Sequence, residues 1–229
     1  LEQMFMFIIK YYHHLIQQHI LHLHNLSLEQ LQSPVVADGA LDRLRVRVLG
    51  IPLESRAYAG ILETLGAAGY RDQQLADSGA IDYGSDHFTC FQFSYDWRRS
   101  NVENAAALDA FIKEKKSFVR KKHREVYGKE RGDIKFDIVA HSMGGLIARY
   151  YLRYGDQSLP NDGSLPHLNW AGAKNVNRLI MVGTPNAGSV LAFEDLVHGK
   201  HFAPKWLRAI GAVSIPSYSA AVMGTYPSI

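Results

Sequence analysis

The sequence contains a single cysteine, Cys90, among its 229 residues. One thiol cannot form an intrachain disulfide, which excludes the small disulfide-bonded scaffolds of secreted proteins. No stretch of about 18 uncharged apolar residues is present, so the sequence predicts no membrane-spanning helix. The 19 glycines and 8 prolines show no repeat period, which excludes collagen-like and repeat architectures. The remaining composition, with 47% hydrophobic residues, is that of a globular protein with a core.

The net charge of the chain is also small, with a formal value of +3. Binding to nucleic acid would require basic residues clustered on one face. Such a cluster occurs at residues 113–124, where it could form a surface for anionic lipid heads or nucleic acid, or the solvated face of a helix. Because Glu114 and Glu125 are interspersed among the cations, we favour the solvated face and expect no nucleic-acid partner.

The N-terminal 40 residues are rich in histidine and glutamine. Residues 4–9 are all apolar, but the basic front and the small-residue cleavage site of a signal peptide are missing. We predict a helical or irregular segment over residues 1–40 and, without a targeting signal, the cytoplasm as the default compartment. Five histidines here lack a carboxylate or cysteine at metal-ligand spacing, which disfavours a zinc site: His13, His14, His19, His22 and His24.

After residue 40, strand and helix patterns alternate along the chain. Strands are predicted at residues 45–49, 88–95, 135–140 and 176–182, and the last two have the apolar runs of buried parallel strands. Helices are predicted at residues 56–68, 102–127 and 144–154. This alternation predicts an α/β fold, with a mostly parallel sheet and helices on both faces. No linker divides residues 41–229, which we predict to form one domain.

The most informative motif is AHSMGG at residues 140–145, between a predicted strand and a predicted helix. It follows the G-x-S-x-G pattern of the nucleophile elbow, with alanine at the first small position. In this turn the serine has strained backbone angles that project its hydroxyl above the sheet. Ser142 is therefore the candidate nucleophile, and Ala140 and Gly144 are small enough to let strand and helix approach. The backbone N–H of Met143 is the candidate donor to an oxyanion.

Two further segments accompany this motif. The sequence YDWRR at residues 95–99 follows the aromatic strand, and GTPNAGS at residues 183–189 follows the next strand after AHSMGG. Together with AHSMGGLIARYYLRY, they resemble the lecithin:cholesterol acyltransferase-like lipases, a family of α/β-hydrolases. The resemblance runs from about residue 41 to the end of the sequence. It implies an α/β-hydrolase-like fold and acyl chemistry on lipid esters.

The resemblance implies that Ser142 attacks an ester carbonyl, that a histidine takes the serine proton and that an acyl-enzyme forms. Water as the acceptor would make the protein a phospholipase or esterase, and a sterol or lipid hydroxyl would make it an acyltransferase. The implied partners are a lipid or phospholipid ester, an alcohol acceptor and a transiently contacted membrane surface. No cofactor or metal is implied, because serine acyl transfer needs none.

The rest of the catalytic triad is not evident. In α/β-hydrolases the serine is followed along the chain by an Asp or Glu and then by a histidine. The residues after Ser142 that could serve are Asp156, Asp162, Glu194, Asp195, His167, His198 and His201. Asp195 with His198 or His201 obeys the order, but these residues are too close together to lie on separate loops. We therefore expect the chain to lack the acid and the histidine, as an incomplete hydrolase domain that is either a fragment or a decayed relative.

The region before the elbow also departs from the family pattern. Residues 48–52 (VLGIP) are the nearest equivalent of the Pro-Gly loop that gives the second oxyanion donor, and they match it poorly. A rival interpretation is a non-catalytic hydrolase-fold protein that binds a lipid or a partner. The two interpretations differ in whether a histidine reaches Ser142.

Overall fold

The computed structural model describes residues 4–10, 43–48, 51–56, 58–201 and 214–215. The strands are β1 (Met4–Lys10), β2 (Arg43–Val48), β3 (Ile51–Arg56), β4 (Cys90–Tyr95), β5 (Phe136–His141), β6 (Val176–Val182), β7 (Lys200–His201) and β8 (Ser214–Ile215). The helices are α1 (Ala59–Ala67), α2 (Gln73–Asp77), α3 (Asn101–Tyr127), α4 (Gly144–Tyr154) and α5 (Val190–His198). A short 3-10 helix (Gly172–Asn175) precedes β6.

Four strands form one parallel sheet in the order β4–β1–β5–β6. The strands β2 and β3 form a separate antiparallel hairpin, and β7 pairs with β8. The parallel sheet confirms the predicted α/β class. The helix predicted at residues 56–68 is present as α1, but it begins only at Ala59 because Arg56 still belongs to β3.

The N-terminal strand β1 corrects the prediction for residues 1–40. It lies between β4 and β5, where Met6 is in register with Phe91 on one side and Ile138 on the other. Met4 and Met6 are both buried. The prediction of a helical or irregular segment is therefore wrong for Met4–Lys10, because an apolar run is stable as a strand when both of its edges are paired. The five histidines lie outside the described residues, and the domain boundary at residue 41 stays a prediction.

The side chains of the sheet alternate between two layers of helices. On one face, residues of β4 and β5 pack into the main core with α3 and α4; the buried members include Phe91, Phe93, Phe136, Ile138, Leu108, Ile112, Ile147 and Tyr151. On the other face, Cys90 and Val139 pack against Ile61 and Leu65 of α1. Helices thus cover both faces of the sheet, as the alternation of the sequence predicted.

The basic face of α3 is occupied by local ion pairs and hydrogen bonds. Nζ of Lys113 lies 2.5 Å from a carboxylate oxygen of Asp109, and Nζ of Lys122 lies 2.8 Å from one of Glu125. Lys116 donates to the side-chain oxygen of Asn175. These contacts give the cations a role within the fold, which agrees with a solvated helix face. The absence of a nucleic-acid partner stays a prediction.

The strand at Val176–Val182 is present as β6, but its predicted burial is wrong. Ile180, Met181 and Val182 are each more than 40% exposed. The reason is that β6 is the last strand in the order β4–β1–β5–β6 and that α5, the helix that follows it, has no buried residue to cover it. No helix in the described part of the chain combines the length and the apolar character that crossing a bilayer requires.

Candidate active site

The turn that joins β5 to α4 (the β5–α4 turn, residues 141–144) places Ser142 at the carboxyl end of the sheet. Ser142 has a φ of +53°, and Trp170 is the only other non-glycine residue with positive φ in the described ranges. A non-glycine residue in this region costs about 1–3 kcal/mol, so the surrounding structure must hold it there. The strained backbone predicted for Ser142 is thus present, whereas its role as nucleophile stays a prediction.

Backbone hydrogen bonds on both sides hold Ser142 in this conformation. Its N–H donates to the carbonyl oxygen of Val182 at the end of β6, with 2.9 Å between nitrogen and oxygen. Its carbonyl oxygen accepts from the N–H of Gly145 at 3.1 Å. The N–H of Met143 makes no hydrogen bond to any residue that the structure describes. An unpaired N–H at a helix N-terminus can donate to a developing oxyanion, which is the role predicted for Met143.

The loop at residues 183–189 packs against the first turns of α4. Ala140, Gly144 and Gly145 are all buried. A Cβ atom added to Gly145 would collide with the side chain of Thr184, so the loop approaches α4 too closely there for a larger residue. Farther along α4, Nη1 of Arg149 donates to Oδ1 of Asn186 at 2.6 Å. The GTPNAGS segment is therefore fixed beside Ser142 by contacts with α4.

A second contact reaches the β5–α4 turn from the opposite face of the sheet. The Tyr58 hydroxyl lies 2.8 Å from Nδ1 of His141, and the two rings meet edge to face with centroids 5.4 Å apart. Burial lowers the pKa of His141. Sequence reasoning missed Tyr58, because a contact across 83 residues leaves no local pattern in the sequence.

The YDWRR segment forms a compact polar cluster at the end of β4. The Asp96 carboxylate accepts hydrogen bonds from Nε and Nη2 of Arg98, at 2.9 and 2.8 Å, and from its backbone N–H. Burial opposes ionisation of Asp96, but these hydrogen bonds outweigh it and lower the pKa of the carboxyl. Trp97 is buried, and Nδ2 of Asn104 donates to the Asp96 carbonyl oxygen. These contacts fix the segment at the carboxyl end of β4.

Comparison with known families adds to this geometry. A family model described as lecithin:cholesterol acyltransferase matches residues 54–227, which include β4, the β5–α4 turn and the loop after β6. The chain belongs to the lecithin:cholesterol acyltransferase family. Its described residues form an α/β-hydrolase-like fold, with a parallel sheet and helices on both faces.

Solved structures and curated proteins add little to the family assignment. One chain in the crystal structure of the Tle4–Tli4 complex is similar, with 18% sequence identity and a TM-score of 0.36. The match covers 78% of the present chain and 27% of the Tle4–Tli4 chain, so the present chain spans about a quarter of the length of that protein. A search of curated proteins gave no match.

None of the remaining triad candidates whose side chains the structure describes forms a hydrogen bond with Ser142. Asp156 and Asp162 are exposed, and Nζ of Lys113 lies 3.7 Å from a carboxylate oxygen of Asp156. His167 and His198 are exposed, and neither forms a hydrogen bond with Ser142. Glu194, Asp195 and His198 all lie on α5, so they do not occupy separate loops. The side chain of His201 lies outside the described residues.

The described part of the fold contains no cluster of side chains suited to binding a metal ion. No group of three or more His, Cys, Asp or Glu side chains there is arranged to hold a metal ion. Cys90 is buried beside the Asp72 carboxylate, and its burial raises the pKa of the thiol far above its usual range. A thiol that stays protonated is a poor nucleophile, and Cys90 begins β4 at the amino end of the sheet, opposite the end that carries Ser142.

Proposed function

We propose that this chain carries the nucleophile of a serine-dependent enzyme that transfers acyl groups from lipid esters. The observation that supports it most is the positive φ of Ser142, between β5 and α4, in a chain of the lecithin:cholesterol acyltransferase family. The turn projects a hydroxyl from the carboxyl end of a parallel sheet, where α/β proteins place their sites.

The chemistry would run in two steps. Oγ of Ser142 attacks the ester carbonyl carbon while its proton passes to a histidine, and the negative charge develops on the former carbonyl oxygen. In this proposal the N–H of Met143 and the N-terminal end of α4 stabilise the developing negative charge. Collapse of the intermediate expels the alcohol, which takes the proton from the histidine and leaves an acyl-Ser142 ester.

The second step decides between hydrolysis and transfer. Water attacking the acyl-Ser142 ester would release a free fatty acid, and a lipid or sterol hydroxyl would receive the acyl group as a new ester. The outcome depends on how well the complete site excludes water. We propose a lipid or phospholipid ester as donor, and we leave both acceptors as outcomes to be measured with phospholipid vesicles that contain a sterol.

The acid and the histidine of the triad, in this proposal, come from outside the described residues. The observation behind this is that none of the described histidines forms a hydrogen bond with Ser142. The same observation supports the rival function, a hydrolase-fold protein that binds lipid without catalysis, because a β5–α4 turn of this shape also serves packing.

Labelling with a fluorophosphonate probe separates the two functions. The probe is added to the full chain, and the intact mass is measured for the wild type, Ser142→Ala and a control, Ser117→Ala, on the exposed side of α3. Circular dichroism verifies that each sample is folded. In this proposal the histidine comes from residues of this chain that the structure does not describe, so we expect the wild type and Ser117→Ala to gain the mass of one phosphonyl group and Ser142→Ala to gain none. That result would overturn the expectation from the sequence that the chain lacks its histidine. A folded wild type that stays unlabelled would contradict catalysis by this chain and would mean that the turn is present without its base, as in a fragment or in a protein with the binding function.

A further inference from the structure

Tyr58 is held in place by both its backbone and its ring. It directly precedes α1, and its carbonyl oxygen accepts from the N–H groups of Ile61 and Leu62 at 3.2 Å each. Its ring belongs to the cluster in which residues of α1 pack on Cys90 and Val139 of the sheet. The position of the Tyr58 hydroxyl is therefore set by the docking of α1.

His141 is fixed from its own side by the sheet. It is the last residue of β5 and lies in register with Val182 of β6. Its ring is half-buried, and Nε2 makes no hydrogen bond within the part of the chain that the structure describes. The contact between Nδ1 and the Tyr58 hydroxyl is thus the hydrogen bond that orients this ring.

The direction of this hydrogen bond follows from the chemistry of the two groups. Burial lowers the pKa of His141, so the ring is neutral near neutral pH and carries one proton on one of its nitrogens. A phenol is a strong donor, and the bare nitrogen of a neutral imidazole accepts better than a phenol oxygen does. The favoured arrangement therefore has the Tyr58 hydroxyl donating to Nδ1 and the ring proton on Nε2.

We propose that Tyr58 is a positioning residue for Ser142: its hydroxyl donates to Nδ1 of neutral His141, holds the ring as the Nε2–H tautomer and restrains the end of β5 directly before the nucleophile. Ser142 needs this support because its positive φ is unfavourable on its own. The hydrogen bond to Val182 restrains Ser142 from the side of β6, and Tyr58 restrains the preceding residue from the side of α1. Only the effect on Ser142 reactivity rests on the proposed function.

Nuclear magnetic resonance on the full chain tests the positioning without requiring activity. Nitrogen-15-labelled histidine reports which ring nitrogen of His141 is protonated, and hydrogen exchange reports how well the Ser142 amide is protected. The test variant is Tyr58→Phe, which keeps the ring and removes the hydroxyl. The control is Tyr70→Phe, in the same cluster on the same face of the sheet.

We expect the wild type and Tyr70→Phe to show His141 protonated at Nε2 and a protected Ser142 amide. Tyr58→Phe should shift the ring toward a mixture of both tautomers and speed exchange of the Ser142 amide by about three- to tenfold, the effect of losing one hydrogen bond. A wild-type ring protonated at Nδ1 would overturn the proposal, as would a Tyr58→Phe variant with unchanged tautomer and exchange.

Fluorophosphonate labelling extends the test to reactivity. If the wild type is labelled, Tyr58→Phe should lower the labelling rate by about three- to tenfold with an unchanged circular dichroism spectrum. An unchanged rate beside a changed tautomer would overturn the link to Ser142. If the wild type is not labelled, the proposed function fails, and the tautomer and exchange data still decide the positioning role.

A second pair of variants covers the case in which Tyr58→Phe does not fold. His141→Gln retains a side-chain oxygen that can accept from the Tyr58 hydroxyl, whereas His141→Leu has no acceptor. We expect His141→Gln to keep more protection of the Ser142 amide than His141→Leu. Equal protection in the two variants would overturn the proposal.

Discussion

Helices α4 and α5 both follow a strand of the same sheet, yet they differ in how they are packed. Ile147, Ala148 and Tyr151 of α4 are completely buried against β1, β5 and α3. On α5 no residue is buried, and Val190 and Phe193 are 83% and 69% exposed. The fold is therefore anchored around β4, β1 and β5, and the β6–α5 side presents apolar surface to its surroundings.

This difference has a consequence for the candidate site. Ser142 lies at the boundary between the two regions, because its N–H bonds to β6 while its chain enters α4. The packed side supplies the rigid frame that can hold an unfavourable backbone angle. The exposed side supplies the loop at residues 183–189, whose position depends on contacts with α4 such as that of Arg149 with Asn186.

The largest predicted effect compares a leucine in each region. Leu108 of α3 is completely buried and Leu191 of α5 is 71% exposed. Leu108→Ala should lower the free energy of unfolding by about 2–5 kcal/mol, because it leaves a cavity in the core. Leu191→Ala should change it by less than about 0.5 kcal/mol. Urea denaturation followed by circular dichroism measures both, and similar losses would show that α5 is packed as firmly as α3.

The next largest effect concerns the boundary between the two regions, where the loop at residues 183–189 meets α4. Gly145→Ala should lower the free energy of unfolding by about 1–3 kcal/mol, because the new methyl group meets Thr184. Gly66 is the matched control: it lies within α1, and a Cβ there meets nothing within 4 Å. Gly66→Ala should stabilise by about 0.5–1 kcal/mol through helix propensity. If thermal unfolding shifts upward in both variants, the loop at residues 183–189 does not rest on α4.

Local features of the fold could be predicted from the sequence, and long-range ones could not. The AHSMGG motif predicted the turn at Ser142, because a strand, a serine between small residues and an apolar helix are all local signals. The hydrophobic periodicity of residues 102–127 likewise predicted α3 almost to the residue. Both the turn and the helix depend on interactions between neighbours in sequence.

The errors arose where an element depends on distant partners. The apolar run in β1 was visible, but its place between β4 and β5 depends on pairing with residues more than 80 positions away. The composition of β6 predicted burial, yet burial depends on what covers the strand, which composition does not specify. The contact between Tyr58 and His141 likewise depends on residues that are far apart in the sequence. Tertiary placement therefore had to come from the structure.

A third prediction concerns the exposed apolar surface of α5. We expect the chain to self-associate at micromolar concentration, because large exposed apolar side chains favour contact between copies. Phe193→Glu should weaken association by about tenfold, the effect of removing one aromatic contact. Val126→Glu, at a 61% exposed position of α3, should leave it unchanged. Sedimentation velocity over a concentration series measures this, and a monodisperse wild-type monomer would contradict the expectation.

The smallest effect, and the most specific to the packed region, involves Asp72 beside β4. Oδ1 of Asp72 accepts hydrogen bonds from the Leu75 N–H at 3.0 Å and from Nε2 of Gln92 at 2.9 Å. Asp72 is only 4% exposed, and this burial raises the pKa of the carboxyl above the usual 3.8. A raised pKa in the folded state means that protonated Asp72 stabilises the fold below pH 3.8, and that this contribution is lost as the pH rises through the folded-state pKa.

The stability of Asp72→Asn relative to the wild type should therefore increase from acid to neutral pH, because the amide accepts the same two hydrogen bonds without becoming charged. Glu194→Gln, at an exposed position of α5, should run parallel to the wild type over the same range. Urea midpoints measured at a series of pH values decide the matter: a constant difference for Asp72→Asn would mean that water or a nearby cation already compensates the buried charge, and that the β4 side of the fold is less tightly closed than its packing indicates.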